Sequence, residues 1–199
     1  MDLKKIKYLN PKHLLDIGAN CGHWAKEAKS VWPDASVFCI EGCRECEPSL
    51  RAAGLPFAIA LLGDSKREVD FYKATYSATA TGNSYKREQT EWFENPDIEK
   101  RELTTLDELF NKEDTIFDLI KIDTQGSELD IIRGGLELCK RAKAILMEVA
   151  VADYNEGAPK MPEVIAFMAE LGFVNFEILH DIVHPKTRQL IQHDILFSK

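Results

Sequence analysis

The sequence predicts an α/β fold built on a mainly parallel sheet, and three observations support this prediction. Apolar runs of strand length alternate with segments of helical periodicity. Such alternation favours parallel strands joined by right-handed helical crossovers. The last two runs, 173–179 and 190–197, have no helix between them, which indicates a hairpin and one antiparallel strand in the sheet. The length of 199 residues suits a single domain over residues 1–199.

The predicted strands and helices follow one another in a regular order. Strands are expected at 13–17, 36–40, 57–62, 118–122 and 144–149, with a short strand at 69–72. Helices are expected at 23–32, 45–53, 105–110, 128–133 and 162–171. Ser127 is a suitable N-cap for the fourth of these helices, and Glu128 lies in its first turn, where the helix dipole favours an anion.

Residues 74–102 interrupt the alternation. This stretch is polar, lacks the periodicity of a core segment, and includes a charged part around Trp92 and Phe93. Connections longer than about 12–15 residues are usually functional or disordered. We therefore expect residues 74–102 to form an active-site lid or substrate loop.

The composition bears on the partners of the protein. Its net charge of −8, from 25 basic and 33 acidic residues, disfavours a nucleic-acid-binding surface. No apolar run approaches the roughly 20 residues needed to span a bilayer, and the first residues lack the apolar core of a signal peptide. We expect a cytoplasmic protein with no membrane or nucleic-acid partner, and the oligomeric state stays open.

The cysteines number five, which favours free thiols in a chain without an export signal. Cys43 and Cys46 form a C-x-x-C pair. A structural zinc site needs four ligands, and no second close pair of cysteines or histidines follows. A zinc site and a redox pair are therefore minor alternatives.

Glycines and acids follow the first two predicted strands. Gly18 and Gly22 let the chain turn tightly and approach a ligand closely, and the next helix presents free N–H groups to the same crevice. Asp16 could meet the ammonium of an amino acid. Glu41, followed by Gly42, ends the second strand, where a carboxylate can accept both hydroxyls of a ribose. A nucleoside-containing cofactor is predicted; the alternative for the glycines alone is a plain βα turn.

A nicotinamide dinucleotide is the rival cofactor. Its fingerprint is G-x-G-x-x-G, whereas the loop here is G-x-x-x-G, from Gly18 to Gly22. The spacing fits an NAD-type oxidoreductase poorly.

Four segments resemble the class I S-adenosylmethionine-dependent methyltransferases, and more narrowly the FkbM family. They are LDIGANCG at 15–22, LTTLDEL at 103–109, DLIKIDTQGSE at 118–128 and QHDILF at 192–197. The third segment, with residues 129–134 after it, is the most specific. The family usually has Glu where this chain has Gln125.

The resemblance implies a Rossmann-like, seven-stranded sheet with an antiparallel last strand and helices on both faces. It implies methyl transfer from S-adenosylmethionine to a hydroxyl of a sugar or another small-molecule acceptor. The residues implied to contact the cofactor are Asp16, Gly18, Ala19, Asn20 and Gly22 at the methionine part, Glu41 and Gly42 at the ribose, Asp64 at the adenine, and Asp123. Asn83 and Ser84 match a small polar position of the family and are candidate substrate contacts; a solvated turn is the alternative.

An aliphatic hydroxyl needs a general base, or a metal that lowers its pKa. The catalytic candidates are Asp123, which ends a predicted strand, Glu128, one turn further on, and Glu148, which ends the next predicted strand. Our hypothesis is that Asp123 or Glu148 orients or deprotonates the acceptor, while Glu128 could instead be only a helix-start residue. A divalent metal on Asp123 and Glu148 is an alternative that we do not expect. His180 is a candidate substrate contact, and His180 or His184 could act as a base if the last hairpin folds over the pocket.

Methyl transfer by an enzyme is therefore the leading hypothesis. A module that keeps the fold and binds S-adenosylmethionine without catalysis is the second, and an oxidoreductase is the third.

Overall fold

A computed structural model of the chain describes residues 1–75, 81–110, 115–184 and 186–199. The strands are β1 (His13–Ile17), β2 (Ser36–Glu41), β3 (Phe57–Ile59), β4 (Leu61–Leu62), β5 (Glu68–Lys73), β6 (Asp97–Thr104), β7 (Leu119–Ile122), β8 (Ala144–Ala150), β9 (Asn175–Val183) and β10 (Leu190–Ser198). The α-helices are α1 (His23–Val31), α2 (Glu47–Ala52), α3 (Leu106–Leu109), α4 (Glu128–Arg133), α5 (Leu136–Arg141) and α6 (Met161–Glu170). Short 3₁₀ helices cover Leu3–Leu9, Arg44–Cys46 and Glu91–Phe93.

The main sheet has seven strands in the order β3-β2-β1-β7-β8-β10-β9. The first five of these are parallel to one another, whereas β10 is antiparallel to both β8 and β9. The predicted sheet, with its single antiparallel strand formed by the last hairpin, is confirmed.

Helices cover both faces of this sheet. On one face, Ile120 and Ile145 pack in a cluster with residues of α3, α4, α5 and α6. On the other face, Leu119 and Leu146 pack with α1, α2 and the first 3₁₀ helix. Side chains alternate between faces along a strand, so the buried strand β7 supplies both clusters. The predicted Rossmann-like arrangement is confirmed.

A second sheet, β4-β6-β5, was only partly predicted. Its longest strand, β6, pairs antiparallel with β5 and begins inside the stretch 74–102 that we expected to be a loop. That expectation is wrong for residues 97–102. Most side chains of β6 are exposed to solvent. The sequence of this strand therefore lacks the apolar alternation that predicts a strand. The strand expected at 57–62 is also divided, into β3 of the main sheet and β4 of the second.

The remaining described part of 74–102 folds over the carboxyl ends of the main sheet. Ser84 forms a backbone bridge to Tyr72, and Glu88 forms one to Asn155. Residues 76–80 lie outside the described residues, so the predicted role of this stretch as a lid stays a prediction. No helix in the described ranges is long and apolar enough to cross a membrane.

Candidate active site

A cavity of about 540 Å³ opens at the carboxyl ends of β1, β2 and β7. This is the edge at which open α/β sheets bind ligands, and the volume is within the usual range for small-molecule sites. Its walls come from the turns after these strands, from β4 and from residues 81–85. The predicted residues on its wall are Gly18, Ala19, Asn20, Glu41, Gly42, Asn83, Ser84, Asp123 and Glu148.

The turn between β1 and α1 depends on its two glycines. Gly18 and Gly22 have φ values of +74° and +77°, in the left-handed region that favours glycine. A Cβ on Gly18 would overlap the carbonyl oxygen of Asp123, and one on Gly22 would lie 2.8 Å from Leu55 Cδ1. At Gly18, the backbone of the turn therefore lies too close to the loop after β7 for a side chain to fit between them.

Glu41 fastens that turn to the end of β2. Its Oε2 accepts the backbone N–H of Asn20 at 2.7 Å, and its Oε1 accepts that of Cys43 at 2.7 Å. Burial raises the pKa of Glu41, and the two backbone hydrogen bonds oppose that rise. Each carboxylate oxygen accepts more than one hydrogen bond, so Glu41 keeps acceptor capacity toward the cavity.

Lys121 occupies the centre of the site and is not among the predicted site residues. Its Nζ lies 3.1 Å from Asp16 Oδ1 and 3.4 Å from Asp123 Oδ2, and it donates to Gly18 O at 3.0 Å. Burial favours a lower pKa for Lys121, but the charges of Asp123 and Asp16 outweigh it and hold the pKa above its ordinary value. Lys121 is on the cavity wall, whereas Asp16 is fully buried behind it.

Glu148 and Asp123 face the cavity side by side. The Gln125 side-chain amide donates to Glu148 Oε2 at 2.7 Å and to Asp123 Oδ1 at 3.3 Å. Gln192 donates to the same Glu148 oxygen at 2.8 Å. Burial, followed by the charge of Asp123, raises the pKa of Glu148 well above its ordinary value. Glutamine at position 125 thus supplies an amide donor where a glutamate would add another negative charge.

Glu128 stabilises the turn after β7 through hydrogen bonds to its backbone. Its Oε1 accepts the backbone N–H groups of Thr124 at 3.0 Å and Gly126 at 3.1 Å. Burial raises its pKa to about 7. Glu128 is not on the cavity wall, so the geometry favours a positioning role over the predicted catalytic one. Ser127 does not cap α4 with its side chain as predicted; its hydroxyl bonds to Thr124 instead.

Residues 81–85 close one side of the cavity. Ser84 Oγ donates to Thr124 O at 3.1 Å, which joins this segment to the turn after β7. Asn83 Oδ1 accepts the backbone N–H of Ala74 at 2.8 Å. Tyr85, a wall residue that the sequence did not indicate, donates its hydroxyl to Asp130 at 3.2 Å.

A second cavity, of about 220 Å³, shares five wall residues with the first. These shared residues are His23, Trp24, Lys121, Asp123 and Glu148. The remaining wall includes Glu27, Asp194 and apolar residues of β7 and β8. The Nε1 atom of Trp24 is buried and has no hydrogen-bond partner among the described residues. Asp123 and Glu148 therefore stand at the junction of a larger and a smaller cavity.

The sequence matches the methyltransferase FkbM domain over residues 16–174, which is most of the chain. The protein belongs to the FkbM methyltransferase family. No curated protein matches it. Among solved structures, this FkbM-family chain is similar to a methyltransferase FkbM from Methylobacillus flagellatus KT, with a TM-score of 0.57 and 14% identity over 95% of this chain and 44% of that one. The chain thus spans less than half the length of that protein.

Two further structures share the fold of this FkbM-family protein. One is the precorrin-6y C5,15-methyltransferase of Geobacter metallireducens GS-15, with a TM-score of 0.54 and 13% identity over 99% of this chain and 87% of that one. The other is the N-terminal domain of EvdMO1 with SAH bound, with a TM-score of 0.54 and 12% identity over 99% of this chain and 79% of that one. At these identities the likeness concerns the fold.

Of the predicted site residues of the FkbM-family protein, Asp16, Gly22, Asp64, Glu128 and His180 are not on the wall of the main cavity. Asp16 is fully buried and pairs with Lys121. Asp64 is exposed and pairs with Arg67; apolar residues of β4, not Asp64, line the cavity there. His180 is half-exposed on β9, and its Nδ1 lies 3.2 Å from Asp194 Oδ2. The placement of these residues does not support direct contact with a ligand in the main cavity.

No group of three or more His, Cys, Asp or Glu side chains in the described ranges is placed to hold a metal ion. The five cysteines, all in those ranges, are free thiols.

Proposed function

We propose that this protein transfers a methyl group from S-adenosylmethionine to a hydroxyl of a small-molecule acceptor, such as a sugar. One observation supports this most: Asp123 and Glu148 lie on the wall common to two adjoining cavities of unequal size. The larger cavity suits a nucleoside cofactor and the smaller one an acceptor. The two carboxylates lie at the junction, where they can orient the acceptor hydroxyl and accept its proton.

The residues of the larger cavity fit S-adenosylmethionine. The β1–α1 turn presents bare backbone at Gly18, where a Cβ has no room. Glu41 offers carboxylate oxygens at the end of β2, where ribose hydroxyls bind in related α/β sites. The indole N–H of Trp24, which has no hydrogen-bond partner among the described residues, offers a donor near the junction. The EvdMO1 domain, which has a similar fold, was solved with SAH bound.

When bound, S-adenosylmethionine would supply an activated methyl group, so the protein chiefly has to align the acceptor and exclude water. Lys121 and Gln125 hold the Asp123 carboxylate from two sides, and Asp123 orients the acceptor hydroxyl. Glu148 accepts the hydroxyl proton, since its raised pKa makes its carboxylate a stronger base than an ordinary one. Gln125 and Gln192 both bond to Oε2, which leaves Oε1 for the acceptor.

Methyl transfer is tested with labelled S-adenosylmethionine and a panel of sugars and other hydroxylated small molecules. Wild-type protein is expected to label at least one acceptor on oxygen. Glu148→Gln is expected to lower the rate by about 10²–10⁴-fold, the usual worth of a general base, with affinity for S-adenosylhomocysteine, which lacks the sulfonium charge, unchanged. An equal rate in Glu148→Gln would reject that role. Binding of the cofactor with no labelling of any acceptor would favour a module without catalysis.

A further inference from the structure

Three titratable residues form a row across neighbouring strands on the α1 side of the sheet. In the register of the antiparallel strands, Glu148 of β8 is opposite Asp194 of β10, and Asp194 is opposite His180 of β9. Opposed residues of antiparallel strands have their side chains on the same face, with Cβ atoms about 4.5–5.5 Å apart. The row leads from the cavity wall at Glu148 to His180, whose side chain is 48% exposed.

Two of these residues are carboxyls in opposed positions, and no lysine or arginine of the described residues forms an ion pair with either. Like charges in directly opposed positions destabilise a sheet. Lys121, whose charge lowers the pKa of Glu148, is engaged by Asp16 and Asp123. Glu148 has neutral amide partners, and Asp194 has His180. Burial, together with the charge of Asp123, raises the pKa of both carboxyls. Two carboxyls that interact closely do not both ionise readily, so one of them tends to keep its proton near neutral pH.

The other groups around the pair are mostly acidic. Asp123 follows β7, and Glu27 and His23 lie on α1 at the wall of the second cavity. The charge of Glu128 raises the pKa of Glu148 further. The amino group of Met1 and His180 are the positive influences on Asp194.

We propose that Glu148, Asp194 and His180 form a proton relay, in which the carboxyl pair loses its shared proton through His180 when the sulfonium cofactor binds. This inference rests on the proposed function. A positive charge at the cavity junction favours ionised carboxylates. Glu148 is thereby left as a base facing the acceptor. Asp194 and His180 are positioning and relay residues, not contacts of the reacting atoms.

The relay accounts for every proton in the reaction. On cofactor binding the pair releases one proton through His180 to solvent. During transfer the acceptor oxygen forms a bond to the methyl carbon, the sulfur–methyl bond breaks with its electron pair left on sulfur, and Glu148 takes the hydroxyl proton. The carboxyl pair then again holds one proton, as before binding. The net products are the methyl ether, S-adenosylhomocysteine and one proton.

Titration calorimetry in buffers of different ionisation enthalpy tests this without an acceptor. Binding of S-adenosylmethionine to wild-type protein near neutral pH is expected to release up to about one proton per site. S-adenosylhomocysteine has the same amino-acid and nucleoside groups without the sulfonium charge, so its binding should release at most a small fraction of that proton. Glu148→Gln and Asp194→Asn should each reduce the release with S-adenosylmethionine by half or more.

Asp181→Asn is the matched control. Asp181 and His193 form a second Asp–His pair on the same two strands, one register position away, with 2.8 Å between Asp181 Oδ1 and His193 Nδ1. Neither residue is on the wall of either cavity. Binding of S-adenosylmethionine to Asp181→Asn should release the same number of protons per site as binding to wild type.

His180→Gln separates a relay from a merely structural contact. The amount of proton released should stay the same, because the carboxyl pair is intact. The rate of release, followed by a pH indicator in stopped flow, should fall about tenfold or more. Binding of S-adenosylmethionine without proton release, or release unchanged in Asp194→Asn, would overturn the relay and leave the proposed function standing. Absence of binding by either ligand would instead overturn the proposed function.

Discussion

The Asp16 carboxylate and the Lys121 ammonium lie 3.1 Å apart and are register partners in β1 and β7. This buried ion pair joins the strand that precedes the cofactor turn to the strand that ends at Asp123. Lys121 also bonds to Gly18 O. The pair therefore fixes the distance between the two loops that form the centre of the site.

Removal of the Lys121 charge should strongly destabilise the protein. Lys121→Met leaves Asp16 buried without a counter-charge, which typically costs about 3–5 kcal/mol. The free energy of unfolding in urea measures this. Lys143→Met is the control, because Lys143 pairs with Asp118 at 2.7 Å but is 74% exposed, and exposed pairs contribute about 1 kcal/mol or less. Similar losses in both variants would contradict a central role for Lys121.

Gly18→Ala should abolish cofactor binding. The added Cβ would overlap the backbone of Asp123, so the two loops must separate. We expect affinity for S-adenosylhomocysteine in calorimetry to fall below detection. Gly172→Ala is the matched control: its φ is +91°, and a Cβ there would meet nothing within 4 Å. That variant should lose about 1–2 kcal/mol of stability and keep wild-type affinity. Normal binding by Gly18→Ala would show that the close approach is not needed.

Glu41→Gln should weaken cofactor binding by about 10–100-fold, the usual worth of hydrogen bonds to a charged group. An amide has only one acceptor oxygen, so it cannot replace both the loop contacts and the ribose contacts. Calorimetry with S-adenosylhomocysteine measures the loss. Glu47→Gln, at a half-exposed residue that pairs with Arg51, should bind as wild type does. Equal affinities of all three proteins would refute the ribose assignment.

Glu128 should make the folded state less stable as pH rises. Its pKa is about 7 in the folded protein, against an ordinary value of 4.5, so the folded state holds the proton more tightly. The contribution of Glu128 to stability is complete below pH 4.5 and is lost as pH rises through about 7. The loss is on the order of 3 kcal/mol.

Urea unfolding at a series of pH values, in wild type and Glu128→Gln, isolates this effect. The difference in free energy of unfolding between them should shrink or reverse as pH rises. Glu137→Gln controls for removal of an exposed carboxylate, since the Glu137 side chain is 73% exposed. A difference between wild type and Glu128→Gln that is constant with pH would contradict a raised pKa for Glu128.

Much of the site could be predicted because its residues end strands. Gly18, Glu41 and Asp123 follow or end buried parallel strands, and Glu148 lies near the end of β8; carboxyl ends of such strands meet at one edge of the sheet. Lys121 was missed although a signal existed. A lysine inside the apolar strand Leu119–Ile122 is costly to bury unless it is paired, and Asp16 is the acid at the corresponding position of β1.

The remaining errors have physical causes. Asp64 was expected to follow a strand of the main sheet. After β3 the chain instead enters β4, which belongs to the second sheet, and the Asp64 side chain forms an ion pair with Arg67. β6 has mostly exposed side chains and thus no apolar pattern. The connection between Glu148, Asp194 and His180 depends on strand register, which depends on the irregular β9–β10 pairing after Asp194.

Titration calorimetry with S-adenosylmethionine, S-adenosylhomocysteine and NAD tests the central claim most directly. We predict that the first two bind with one site per chain, that NAD does not bind, and that Gly18→Ala binds none of them. Binding of NAD alone, or no binding of S-adenosylmethionine and S-adenosylhomocysteine by folded wild-type protein, would contradict the account.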